Sequence, residues 1–228
     1  MSIYLIRHGE TALNFARVVQ RPDTPLSDRG IAQAARLAER LADVGISRIV
    51  ASDMARARMT AEPLERATGR PLSLDPDLQE RNFGDHRGSS YEELMRQGVE
   101  LFAPGYAPPS GETWAAFHER VDRAWTSVCR LAESTDGHLA VVTHGLVCHS
   151  IAMRLAELPE QVAQESHGRD GPPIRFGNTA VSVLEAPSSI PSRPSATSEE
   201  LAWRFDLFAC TAHLDGAVAD DGTSLSGI

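Results

Sequence analysis

Lysine is absent from this 228-residue sequence, so all 22 basic residues are arginine. Any anion site must then be built from planar guanidinium forks or backbone N–H groups. A codon-usage bias is the plainer cause of that absence, but the chemical constraint is the same. Cysteine is scarce: Cys129, Cys148 and Cys210 form no C-x-x-C pair and leave an odd one over. That excludes a disulfide framework and fits reduced thiols in a cytoplasmic protein. No run approaches the ~18 apolar residues of a membrane span, and the start MSIYLIRHGE lacks the basic and apolar regions of a leader. A positive surplus is also missing. The net charge of −9 leaves no field to hold a nucleic acid. His144 and His149 are five apart rather than at the i, i+4 spacing of a helical zinc motif, and no cysteine pair adds ligands, so no metal site is expected. Neither a G-x-S-x-G elbow nor a P-loop is present.

What is there is an ordinary globular composition, 42% hydrophobic and 23% charged, with length enough for one sizeable core. One domain is expected over residues 1–209, followed by a C-terminal tail, 210–228, that frays from Gly216 onward. Ile3 to Ile6 is a short apolar run broken by Arg7-His8-Gly9, the pattern of a buried strand ending in a polar loop. A helix is signalled from Ser27, with Ile31, Ala34, Ala38 and Leu41 inward and Gly45 as its stop, and Ile46 to Ala51 reads as a second strand. Ser52-Asp53 can cap a further helix with Met54, Ala57, Ala61 and Leu64 inward, which Pro63 should kink or end early before Gly69. The clearest helix follows Ser110, with Trp114, Phe117, Val121, Ala124, Val128 and Leu131 on one stripe.

Leu139 to Val142 is another apolar run that ends in a polar tripeptide, Thr143-His144-Gly145, before a helix from Leu146 to Leu158 closed by Pro159. Residues 159–178 have no clean period and read as surface loop. Val181 to Leu184 and the alternation Leu201, Trp203, Phe205, Leu207 suggest two strands bridged by a Pro/Ser-rich stretch, Pro187 to Ser198. The order βαβα predicts an α/β fold, a three-layer α/β/α sandwich with a mostly parallel central sheet. Two strands ending in His-Gly at one sheet edge would bring His8 and His144 together.

Arg7-His8-Gly9-Glu10-Thr11, then Asn14 and Asp23-Thr24-Pro25-Leu26-Ser27, resembles the opening signature of the histidine phosphatase superfamily, the phosphoglycerate-mutase-like proteins. Ser52-Asp53-Met54-Ala55-Arg56-Ala57 with Thr60-Ala61, Leu78-Gln79-Glu80 with Phe83-Gly84 and Gly88, and Thr143-His144-Gly145 are similar to its next three blocks, in order. A lone R-H-G carries little; four ordered blocks over roughly residues 1–185 carry much more. The resemblance implies a nucleophilic His8, a phosphate pocket of Arg7, Arg56 and His144, and Glu80 as proton donor. Asn14 and Gln20 are softer candidates for substrate binding, since turn residues of that kind also bond their own backbone.

Phosphoryl transfer asks mainly for positioning and charge stabilisation, which two arginines and a histidine can supply. Gly9 would let the backbone pass close to bound phosphate. Glu80 must hold a proton near neutral pH, so burial has to outweigh the arginines, a contest the sequence leaves undecided. Glu10 is left as a capping or ion-pairing residue. His86, Arg87, Tyr91, Arg96 and Tyr106 fall in a lid segment, 83–110.

The expected reaction is hydrolysis of a small-molecule phosphate ester through phosphohistidine, with no cofactor. Neither membrane nor nucleic acid is an expected partner, and a homodimer stays open. The alternatives are a phosphoglycerate-type mutase, whose family members carry a longer basic insertion after the glutamate, and a non-catalytic phosphate-binding protein of the same fold. Two departures from the family pattern bear on substrate choice: Arg21 follows Gln20 where glycine is common, and Asp85-His86-Arg87 stands where an acidic or aromatic residue is usual.

Overall fold

The computed structural model describes residues 1–160, 162–163, 174–186 and 203–215. Its strands are β1 (Ser2–Arg7), β2 (Ile46–Ala51), β3 (Leu72–Leu74), β4 (His138–Thr143), β5 (Ala156–Glu157), β6 (Val181–Glu185) and β7 (Trp203–Cys210). They form one sheet in the order β3-β2-β4-β1-β6-β7-β5. β6 alone runs antiparallel to its neighbours, so the sheet is mostly parallel, as the α/β alternation predicts.

Alternation along the central strands sorts side chains to the two faces. Ile3 and Leu5 of β1 with Leu139 and Val141 of β4 join one cluster. Ile6, Ala140 and Val142 join the other. The first face is covered by helices α5 (Trp114–Glu133) and α6 (Gly145–Arg154), through Phe117, Val121, Val147 and Ile151. The second is covered by α2 (Asp28–Leu41) and α3 (Ala55–Thr68), through Leu37, Leu41, Ala57, Ala61 and Leu64. Two short helices, α1 (Ala12–Phe15) and α4 (Tyr91–Arg96), lie in the connections.

Several expectations are corrected. Ile31 is 50% exposed; the inward stripe of α2 runs through Gln33, Ala34, Leu37, Ala38 and Leu41 instead. α2 ends at Leu41, and Gly45, at φ 84°, turns the chain into β2. α3 continues through Pro63, because Leu64 beyond it is fully buried, and ends at the left-handed Gly69. Its N-cap is Met54, without a side-chain bond; Ser52 is used elsewhere. α6 stops at Arg154, where Ala156–Glu157 leaves the helix to pair with β7.

The expected surface loop 159–178 is buried at its end, with Ile174, Phe176 and Asn178 at 8, 4 and 1% exposure. The expected boundary at 209 falls inside packed structure: β7 runs through Cys210, and a 3-10 turn at Ala212–Leu214 buries Leu214. The readings of 187–198 and 216–228, and of Leu201, lie outside the described residues.

Candidate active site

β1 and β4 are parallel neighbours in register, Arg7 opposite Thr143. The next residue of each is a histidine, and His8 N–H donates to Thr143 O at 2.9 Å. Register therefore places the two imidazoles side by side at the carboxyl ends, ring centroids 5.2 Å apart. Both are buried, at 2 and 0% exposure.

His8 Nδ1 lies 2.7 Å from Gly9 O. A carbonyl can only accept, so Nδ1 carries the hydrogen and the free lone pair is on Nε2. That lone pair accepts from Arg56 Nε at 3.3 Å. Burial, then the charges of Arg56 and Arg7, hold the His8 ring well below the usual histidine range. It is neutral at physiological pH, as a nucleophile must be. His144 is held low by burial and the same two arginines; its Nε2 is hydrogen-bonded to Ser52 Oγ at 2.9 Å.

Arg56 stands in the first turn of α3, 2% exposed. It donates to Arg21 O at 3.0 Å, and burial lowers it to about 10, still charged at neutral pH. Arg7 donates to Phe176 O from the segment leading into β6. Arg7, His8, Asn14, Gln20, Arg56 and Glu80 all line one cleft. His144, expected in the phosphate pocket, is fully buried beside His8 and is not among the residues that line the cleft. Asn14 and Gln20 meet at the same hydroxyl: Thr11 Oγ1 lies 3.2 Å from Asn14 Oδ1 and 3.0 Å from Gln20 Oε1, and its one hydrogen can serve either acceptor.

Glu80 reaches the cleft from the turn after β3. Its Oε1 accepts from Arg81 N–H at 2.9 Å and its Oε2 from Leu146 N–H at 3.2 Å. Burial pushes the carboxyl up, and the two backbone donors, Arg56 and Arg7 only partly offset it. The contest left undecided by the sequence goes to burial, which favours a proton-carrying glutamic acid.

Two arginines that the sequence reading missed hold Glu80 in place. Arg120 of α5 donates to the carbonyls of Asp77 and Gln79 at 2.8 Å and of Glu80 at 3.4 Å, while forking onto both oxygens of Glu112 at 2.8 Å. Arg81, 1% exposed, donates to the carbonyls of Leu101, Tyr106 and Glu112 and stacks 3.9 Å over the Trp114 ring. Nothing local marks either one, since the backbone carbonyls they hold lie twenty or more residues away.

Of the lid candidates, Arg87 and Tyr91 line the cleft, together with Phe83 and Phe102. His86 bonds Tyr106 Oη at 2.6 Å and neither lines it. Arg96 pairs with Glu92 and Glu93 on the surface. Arg21 contributes its carbonyl to Arg56, and its side chain packs near Gly88 rather than in the cleft wall. Glu10 accepts from Ser27 Oγ and pairs with Arg29 at 3.3 Å, the ion pairing the sequence suggested for it.

Gly9 also has a packing role. A Cβ there would meet Gly30 O at 2.8 Å, and one on Gly30 would lie 2.0 Å from Glu10 O. The pair lets the loop that carries His8 press against the start of α2. Among the described residues no group of three or more His, Cys, Asp or Glu comes together to hold a metal, and no helix is long and apolar enough to cross a membrane.

Fold and site define an α/β protein of the paired-histidine kind, with two imidazoles and two guanidinium groups converging beyond the strand ends. The chain belongs to the histidine phosphatase superfamily (branch 1), which it matches over residues 3–189. It is 34% identical to a probable phosphoglycerate mutase GpmB of Escherichia fergusonii, covering 97% of this chain and 98% of that one. Among solved structures, Bacillus stearothermophilus YhfR superposes with a TM-score of 0.71 at 26% identity, covering 94% of this chain and 99% of the other. A mycobacterial glucosyl-3-phosphoglycerate phosphatase solved with inorganic phosphate superposes with 0.71 at 25% identity, covering 93% and 98%.

Proposed function

We propose that this chain hydrolyses phosphomonoesters of small metabolites through a phosphohistidine at His8. The observation that most supports it is one cleft holding a neutral imidazole with its lone pair on Nε2 beside a carboxyl group that burial favours in its acid form. In this reading Nε2 attacks phosphorus in line. The N–P bond forms as the P–O ester bond breaks, and the departing oxygen takes the proton of Glu80. Arg7 and Arg56, which line the cleft, stabilise charge on the equatorial oxygens, while His144 is buried against His8 outside the cleft wall. Ionised Glu80 then takes a proton from water as that water attacks phosphorus. The P–N bond breaks, orthophosphate leaves, and Nε2 recovers its lone pair. The scheme asks for no cofactor. The reduced thiols Cys129, Cys148 and Cys210 fit a cytoplasmic setting.

The mycobacterial phosphatase and the Escherichia relative carry names that point to two outcomes, phosphoryl transfer to water or back to a sugar acid. Hydrolysis is the reading preferred, because only about thirty residues separate Glu80 from Ser110, too few for the longer basic insertion of the mutases. A panel of sugar, nucleotide and amino-acid phosphates assayed for released phosphate tests it. Isomerised phosphoglycerate formed with a bisphosphate primer, without net phosphate release, would favour the mutase; binding of an aryl phosphate without turnover would favour a binding protein.

A further inference from the structure

The aim of the His8 ring depends on two consecutive peptide units, and each is anchored by a side chain from a different element. In the unit joining His8 to Gly9, the carbonyl accepts from Asn178 Nδ2 at 3.1 Å and Thr179 N–H at 3.3 Å. Its other end, Gly9 N–H, donates to Thr60 Oγ1 of α3 at 2.9 Å. In the unit joining Gly9 to Glu10, the carbonyl accepts the Nδ1 hydrogen of His8 at 2.7 Å. The other end of that unit, Glu10 N–H, donates to Gln33 Oε1 at 2.8 Å. Gln33 is 1% exposed on the inward face of α2, where an apolar residue would ordinarily sit.

Resting on the phosphohistidine reading, we propose that Gln33 is a positioning residue for the reaction: by holding the Gly9–Glu10 peptide it commits His8 to the tautomer whose lone pair lies on Nε2. The other tautomer would set an Nδ1 lone pair against the carbonyl lone pairs of Gly9 at 2.7 Å, a repulsive contact. Rotation of the peptide would relieve that repulsion, and Gln33 resists the rotation, since Glu10 N–H would lose its buried acceptor. The Gly9–Gly30 contact brings α2 close enough for Gln33 to reach. A glutamine at an apolar position of a helix thus sets which nitrogen of a distant ring is the nucleophile.

The test is nitrogen-15 NMR of the full chain with labelled histidine, with His8 assigned by its loss in His8→Asn. Wild type is expected to show a protonated Nδ1 and an unprotonated Nε2. A lone pair on Nδ1 of wild type overturns the proposal, however any variant folds. Gln33→Met, which fills similar space without an acceptor, is expected to mix the tautomers and lower kcat by about 10²-fold with KM nearly unchanged. Gln33→Glu, which still offers an oxygen to Glu10 N–H, is expected to keep the Nδ1–H form. Gln33→Met with a wild-type tautomer and kcat also overturns the proposal. Acid-labile phosphate trapped on wild-type His8 separates this failure from failure of the underlying reading, because it concerns the intermediate and not the tautomer.

Discussion

Glu80 Oε2 accepts the N–H of Leu146, the second residue of the helix that His144 begins. Glu80 and His144 are therefore seated by one helix start, whose N-terminal dipole faces the carboxyl group. Deprotonated Glu80 is welcome there, protonated Glu80 is favoured by burial, and the balance suits a group that must alternate between both forms.

Glu80→Gln should slow alkyl phosphates by about 10²-fold or more, and aryl phosphates, whose leaving groups need little protonation, much less. Steady-state kcat/KM on paired alkyl and aryl substrates decides it. Equal loss on both rejects the acid role. In wild type the alkyl reaction should decline as pH rises through the raised pKa of Glu80, and the variant should lose that alkaline limb.

His8→Ala should abolish turnover with the fold kept, because the ring contributes its chemistry from a loop while the sheet beneath is formed by Ile3, Leu5 and Ile6. Circular dichroism and phosphate release on the same sample check both halves. Near wild-type turnover refutes the assignment.

Stability should fall on acidification, from about pH 6.5 downward. His213 is lowered to about 4, chiefly by burial and then by Arg40. The unfolded chain therefore binds its proton near 6.5 while the folded chain refuses it until about 4, so stability present at neutral pH is lost across that window. His8 and His144 act in the same direction. His213→Gln should flatten the drop in Tm between pH 7 and pH 5; an unchanged slope counts against it.

Arg120→Met should destabilise the fold by about 3 kcal/mol, since it strands Glu112 and frees the carbonyls before Glu80. Arg120→Lys should recover little, an ammonium being unable to fork onto two carboxylate oxygens while reaching the turn. Denaturant melts of both variants are the check, and full recovery by lysine would show that charge alone matters.

Gly30→Ala sets two effects against each other. Alanine favours a helix by up to about 1 kcal/mol. Its Cβ, however, would lie 2.0 Å from Glu10 O, and such overpacking costs about 1–3 kcal/mol or more. The variant should melt lower and lose activity together, since the displaced loop carries His8. A higher Tm would show that the loop yields freely.

β1, β4 and both histidines were legible because short apolar runs, each broken by a His-Gly, are local signals; the short strands β3 and β5 were not. So were Arg7, Arg56 and Glu80, through ordered blocks. What escaped were polar residues whose meaning lies in remote partners. Gln33 looks like a misplaced surface residue until Glu10 N–H is brought to it; Asn178 looks like loop until His8 O is. Nothing in the sequence singles out Arg81 and Arg120, whose donors are spent on backbone carbonyls far along the chain. Pro63 misled in the opposite sense, because tertiary burial of Leu64 outweighed a local breaker.

Arg56 rests with its Nε–H on the lone pair of His8 Nε2. On the phosphohistidine reading, the reactive nitrogen is thereby sheathed by a guanidinium. A phosphate dianion would unsheathe it, since a guanidinium bonds a charged oxygen more strongly than a neutral ring. Substrate arrival and arming of the nucleophile would then be one event.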